Sequence, residues 1–209
     1  WRSMKINSLL VYDDETYWQN IHCLKPGYNL IVANSKLTIQ QYYDLDIASF
    51  ESSKLSFSKA IEKYRSIFLD SIALQLRSDV EIGATLSGGM DSSAIVCSAV
   101  RKKKEPFKTF SSYYAFLPEL DERRWIEKII LETYCSSFLV SPIAKDAIDL
   151  WGKLTYLNDL PLAAGFVSQN AVLQEAHKQG VKVLLSGQGS DELSAGYRHS
   201  LYRYFADLI

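Results

Sequence analysis

The chain has 209 residues, is 47% hydrophobic and 22% charged, and carries a formal net charge of −1. That length builds one substantial domain, or one domain plus part of another. The near-neutral balance excludes an electrostatic footprint for nucleic acid or an anionic membrane, and the ordinary Pro and Gly content argues against long disordered tracts. Cys23, Cys97 and Cys135 have no CxxC spacing, so neither a disulfide framework nor a zinc site is indicated, and the compartment reads as reducing and cytoplasmic. Cys97 is expected to be a core thiol on a buried helix face. No apolar run reaches transmembrane length, and no signal-peptide pattern is present. Trp1-Arg2-Ser3-Met4 reads as the interior of a longer chain.

Pro26-Gly27 marks a turn. Asn29 to Val32 and Leu37 to Ile39 read as a hairpin joined by Ala33-Asn34-Ser35-Lys36, with Tyr42 to Leu45 as an extended tail. Residues 47–56, rich in serine, read as a linker. Phe57, Ile61, Tyr64, Phe68, Ile72 and Leu76 then recur at helical spacing, which predicts a long helix packed on a sheet and capped by Ser56 or Ser58. Val80, Ile82, Ala84 and Leu86 alternate as a strand. A helix carries Ile95, Val96, Ala99 and Val100, and the basic run Arg101 to Lys104 suits its negative end.

Phe107 to Tyr114 is strand-like, Asp121 to Tyr134 helical, Ser137 to Val140 a short strand, and Ile143 to Leu157 helical. Phe166 to Gln179 is a helix ending at Gly180, and Val181 to Leu185 is a strong final strand. Strands alternating with helices predict an α/β fold, a doubly wound and mostly parallel sheet. In such sheets ligands sit beyond the carboxyl ends of the strands. Two unusual loops fall there.

The first is Leu86-Ser87-Gly88-Gly89-Met90-Asp91-Ser92-Ser93, between a predicted strand and helix. Paired glycines let backbone N–H groups approach an anion, the helix start adds positive potential, and the serines add donors. Asp91 suits a polyphosphate only with a cation such as Mg²⁺ between them. The lysine of a GxxxxGK[ST] loop is absent, as is GxGxxG. The second is Ser186-Gly187-Gln188-Gly189-Ser190-Asp191-Glu192-Leu193-Ser194-Ala195-Gly196-Tyr197. Its adjacent carboxylates repel unless a cation or donor intervenes. Two such loops, each with an aspartate, point to a shared Mg²⁺ site. His22, His177 and His199 are scattered and offer no Ser/His/Asp arrangement.

The first loop resembles the SGGxDSS pyrophosphate loop of the ATP pyrophosphatase superfamily. The second resembles the SGxGxDExxxGY loop of the glutamine-hydrolysing asparagine synthetases. Asp159-Leu160-Pro161 resembles an acidic-residue-then-proline step there, and Leu24 to Tyr28 through Gln41 to Leu45 looks like the end of a glutaminase domain. The resemblance implies an adenine nucleotide alpha hydrolase-like fold, with residues 1–46 as a glutaminase tail, 47–56 as linker and 57–209 as the synthetase domain. The family's later helices and their lysine are expected beyond Ile209.

The implied chemistry is amide formation with ATP and Mg²⁺: aspartate is activated as an acyl-adenylate, pyrophosphate leaves, and glutamine-derived ammonia completes asparagine. Ser87, Gly88, Gly89, Asp91, Ser92 and Ser93 are implied to hold pyrophosphate, Asp91 and Asp191 the metal, and Leu86, Ser112, Ser186 and Gly187 the nucleoside. Gln188 is implied as a third catalytic residue beside the two aspartates, and Ser190 and Glu192 as substrate contacts. The partners implied are small molecules and a glutaminase domain of the same longer chain, with a homodimer open as an arrangement. Two departures stand out: many members have Glu at the Gln188 position, and several have an Arg in the segment that here runs from Pro161 to Gln169. A neutral amide is no general base, and Arg is the natural grip for a carboxylate. A peptide or sugar acid is therefore an alternative acceptor, and a nucleotide-binding fragment without turnover is a third option.

Overall fold

The structure is a computed structural model that describes residues 14, 16, 18–46, 55–103, 105–159 and 165–207. The expected linker lies almost wholly outside the described residues, as do Lys104, Leu160 and Pro161. The chain divides into two compact units, Trp1–Phe57 and Ser58–Ile209.

The first unit contains an antiparallel hairpin of Tyr28–Ala33 (β1) and Lys36–Gln41 (β2), in register from Tyr28↔Gln41 to Ala33↔Lys36. The expected four-residue connection shrinks to two, Asn34 and Ser35, with φ of 50° and 60°. A turn with both central residues left-handed matches the twist of the strands, and Asn tolerates that conformation well. Gly27 (φ +78°) closes the base of the hairpin, its carbonyl accepting from the N–H groups of Tyr42 and Tyr43.

The second unit is built on four parallel strands: Ile82–Thr85 (β3), Lys108–Ser112 (β4), Ser136–Val140 (β5) and Val183–Leu185 (β6), in the order β5-β4-β3-β6. Between them run the helices Met90–Lys102 (α2), Arg123–Thr133 (α3), Ala144–Asn158 (α4) and Gly165–Lys178 (α5), and Phe57–Gln75 (α1) precedes β3. The short helix Ser190–Ser194 (α6) and Arg198–Asp207 (α7) follow β6.

The period-two alternation of side chains sorts the core into two faces. Ile82, Ala84, Leu86 and Leu185 pack with Ile72 of α1, Ile95, Val96 and Ala99 of α2, and Ile126 of α3. Phe110 and Leu184 pack with Phe138, Val140 and, from α5, Val172 and Ala176. Helices therefore cover both faces, as expected of a doubly wound sheet. Gly83 lies between them because a Cβ there would sit 2.9 Å from the Lys108 carbonyl oxygen and 3.0 Å from the Phe110 ring.

Four expectations need correction. β6 is three residues long, since the Val181 N–H is still bonded to the Ala176 carbonyl and closes α5. β3 runs only from Ile82 to Thr85, so the expected strand from Val80 to Leu86 is shorter at both ends, and it is buried as a central parallel strand must be. Among the described residues, α1 packs through its C-terminal part: Ile72 is buried with Phe68 and Leu76 against it, whereas Phe57, Ile61 and Tyr64 are exposed. Cys97 is only half-buried; the core thiol is Cys135, within 3.5 Å of the Thr109 hydroxyl.

Candidate functional site

After β3 the chain moves outward through β4 and β5, then returns to place β6 on the opposite side of β3. The carboxyl ends of β3 and β6 therefore flank a topological switch point, where the loops diverge and leave a crevice. A cleft of about 1020 Å³ opens there, lined by both Gly/Ser loops, the end of β4 and the first turns of α5.

The first loop is held by its own serines. Ser92, almost fully buried, accepts from the Ser87 N–H at 3.2 Å, shares a 3.0 Å hydrogen bond with the Ser87 hydroxyl, and donates to the Gly89 carbonyl at 3.2 Å. Gly88 has φ +83° and faces away from the cleft; a Cβ there would come within 2.9 Å of the Trp125 Cβ and 3.3 Å of Ile126. The residue before α2, Gly89, is extended, and no side chain caps the helix. The N–H groups of its first turn are thereby left for an external acceptor, at the positive end of a 13-residue helix.

The second loop lies directly on the first. A Cβ on Gly187 would be 3.2 Å from the Asp91 Cβ and 3.3 Å from the Ser92 nitrogen. Gly189 (φ +89°) turns the chain into α6, whose Asp191 lines the cleft. Leu86 and Ser111 brace the floor: the Ser111 hydroxyl donates to the Leu86 carbonyl at 2.5 Å, and both residues are buried.

Of the residues singled out by sequence, Leu86, Ser87, Gly89, Asp91, Ser92, Ser112, Ser186, Gly187, Gln188 and Asp191 come together on the cleft. Gly88, Ser93, Ser190 and Glu192 are not among its lining residues. Ser93 continues α2, with its N–H bonded to the Gly89 carbonyl. The Glu192 carboxylate accepts from the Tyr197 hydroxyl at 2.7 Å, which holds Glu192 below the usual carboxylate range and pushes Tyr197 up.

Sequence reasoning missed the α5 wall, where Gly165, Phe166, Ser168, Gln169 and Val172 line the cleft and Ser168 is hydrogen-bonded to the Tyr114 hydroxyl. The available signal was the spacing of Gly165, Ser168, Gln169 and Val172 at three- and four-residue steps, which puts them on one helix face.

Among the described residues lining the cleft there are two carboxylates and no Lys, Arg or His. No three His, Cys, Asp or Glu residues among those described form a cage for a metal. A polyanion entering here meets N–H groups and hydroxyls but also Asp91 and Asp191, so a cation must accompany it. Mg²⁺ suits this donor set, because it takes one or two carboxylates and completes its shell with phosphate oxygens and water.

A mostly parallel, doubly wound sheet, with an uncapped helix start and two aspartates lining the cleft at its switch point, defines an α/β domain of the doubly wound class. The asparagine synthase family profile matches residues 63–207, and the chain belongs to that family. Among curated proteins, it is 31% identical to asparagine synthetase [glutamine-hydrolyzing] 3 of Bacillus subtilis, over 86% of this chain and 31% of that protein. It is 29% identical to putative asparagine synthetase [glutamine-hydrolyzing] 2 of Methanocaldococcus jannaschii, over 92% of this chain and 37% of that protein. It is also 25% identical to amidase chry2 of Gibberella zeae, over 94% of this chain and 31% of that protein. The chain thus spans about a third of the length of these relatives. No helix among the described residues is long and apolar enough to cross a membrane.

Proposed function

We propose that this chain supplies the nucleotide site of a cytoplasmic, ATP-dependent amide-forming ligase, with aspartate as acceptor and asparagine as product. The observation that carries the reading is the meeting of the uncapped α2 start with Asp91 and Asp191 in one cleft at the switch point. The hairpin unit, within residues 1–46, is read as the end of a glutaminase domain that supplies ammonia.

In this reading the Ser87, Gly89 and Ser92 loop and the first turn of α2 receive the β- and γ-phosphates. Leu86, Ser112, Ser186 and Gly187 receive the nucleoside. Asp91 and Asp191 would hold Mg²⁺, which supplies neutralisation of the leaving pyrophosphate. An acceptor carboxylate oxygen attacks the α-phosphorus, and the bond between the α- and β-phosphates breaks. Ammonia then attacks the activated carbonyl carbon, and AMP leaves as the amide forms. The protein's part is mostly positioning and charge stabilisation. Gln188, on the cleft wall, offers an amide N–H₂ and carbonyl to orient these groups but takes up no proton.

A second reading, amidation or cyclisation of another carboxylate such as a peptide or sugar acid, has its own support. The α5 wall is Phe166, Ser168, Gln169 and Val172, neutral throughout, and residues 161–169 contain no Arg to grip a second carboxylate. The similarity to a protein named an amidase agrees with it.

Exchange of labelled pyrophosphate into ATP, with full-length protein and Mg²⁺, tests both readings. Exchange that requires aspartate and is lost in Asp91→Ala, by about a hundredfold or more, supports the first. Exchange with a different carboxylate instead of aspartate sinks asparagine and keeps the adenylate. No exchange with any carboxylate, together with no ATP binding, defeats the assignment of both loops.

A further inference from the structure

Asp191 and Glu192 are neighbours in sequence, yet their carboxylates have different fates. Asp191 lines the cleft, whereas Glu192 does not and accepts the Tyr197 hydroxyl at 2.7 Å. A closed turn enforces the split. α6 runs for one turn and stops at Ala195, which is left-handed with φ 54°. The N–H groups of Ala195 and Gly196 both return to the Asp191 carbonyl, the latter at 3.0 Å. Gly196 then lies against the Asp191 carboxylate, so closely that a Cβ would sit 1.9 Å from Oδ1. The next residue, Tyr197, is thereby delivered to Glu192, and its ring stacks on His199 at 5.2 Å between centroids.

We propose that Tyr197 is a positioning residue that holds Glu192 out of the cleft and leaves Asp191 as the one carboxylate this loop presents to cation-bound phosphate. The inference rests on the reading of Asp191 as a metal-binding residue. Two adjacent acids cannot both approach a bound polyphosphate without repelling it or competing for its cation. A charge-assisted hydrogen bond from a tyrosine whose ring is itself stacked is a directional restraint on the second acid.

The test is ATP binding to the full-length protein as Mg²⁺ is titrated, followed by calorimetry without acceptor, so that no turnover is needed. Tyr197→Phe retains the ring and its stack but frees Glu192. It is expected to raise the Mg²⁺ concentration for half-maximal binding about fivefold, with an unchanged denaturation midpoint. In a Glu192→Gln background, adding Tyr197→Phe is expected to change that concentration by less than about twofold, because the restrained group is gone. A Tyr197→Phe protein that titrates like the wild type, or an effect of equal size in both backgrounds, overturns the proposal. If Asp191→Asn leaves the Mg²⁺ requirement unchanged, the reading of Asp191 beneath the proposal fails, and the proposal with it.

Discussion

The two Gly/Ser loops have similar composition and sit side by side at the ends of β3 and β6, but they are built differently. The first is embedded in the core: Ser92 is nearly buried, Gly88 abuts Trp125 and Ile126, and the 13-residue α2 follows it. The second rests on the first through Gly187, is followed by a five-residue helix, and is held mostly by contacts within residues 186–197. An embedded loop owes its shape to the sheet and helices, and its failure is a failure of the fold. A self-contained loop can change shape at little cost to global stability.

Glycine substitutions break the comparison most sharply. Gly88→Ala adds a clash with Trp125 to a left-handed backbone, and about 2–4 kcal/mol of destabilisation is expected from strain plus overpacking. Gly189→Ala meets nothing within 4 Å despite its φ of +89°, so strain alone, about 1 kcal/mol, is expected. Urea midpoints of the two variants measure the difference. Equal losses would mean that the second loop is as deeply anchored as the first.

Serine deletions sharpen the same contrast on a smaller scale. Ser92→Ala removes the nearly buried hydroxyl that accepts the part-buried Ser87 N–H and holds the loop together, at a cost of about 1 kcal/mol. Ser194 caps only the Ser190 carbonyl on an exposed turn, and its loss should cost less than about 0.5 kcal/mol. The same denaturation curves report both, and a Ser194→Ala loss matching that of Ser92→Ala would erase the distinction.

Much of this arrangement was legible because local patterns and tertiary demands agree. The alternation from Val80 to Leu86 and the helical spacing from Phe57 to Leu76 mark real elements, and the Gly/Ser strings mark the loops at the strand ends. Those patterns do not say which partners exist. The apolar stripe of α1 is continuous in sequence, but only its second half meets the sheet in the described structure. Nor does spacing on one helix decide burial: Cys97 on α2 is half-buried, whereas Cys135, just before β5, is buried against Thr109 of β4. The α5 wall depends on which loops the strand order brings together, a property of topology rather than of any one segment, and the Tyr197–Glu192 bond depends on the left-handed turn at Ala195 within its own loop. Gly88 illustrates the mixture: its string pointed to an anion loop, while the structure turns it toward α3.

The smallest expected effect concerns acid, and it separates the supports of the two loops. Asp121 precedes α3, the helix that backs Gly88; it accepts the Arg123 backbone N–H at 3.1 Å and Nε at 2.7 Å. The Arg123 side chain beside it, more than burial or the backbone bond, sets the direction and holds Asp121 below its ordinary value. Glu192 in the second loop is lowered chiefly by Tyr197. A carboxyl lowered on folding contributes stability above its ordinary pKa, and that contribution disappears as pH falls through the lowered value. Both contributions should therefore be intact above about pH 5 and fade through the range below about pH 4. Asp121→Asn should flatten this acid slope in the global urea midpoint, because its helix buttresses the embedded loop. Glu192→Gln should leave that midpoint's slope almost unchanged and alter only hydrogen exchange of amides within α6 and the following turn. If instead Glu192→Gln flattens the global slope and Asp121→Asn does not, the second loop is the one coupled to the fold, and the assignment of embedded and self-contained loops must be reversed.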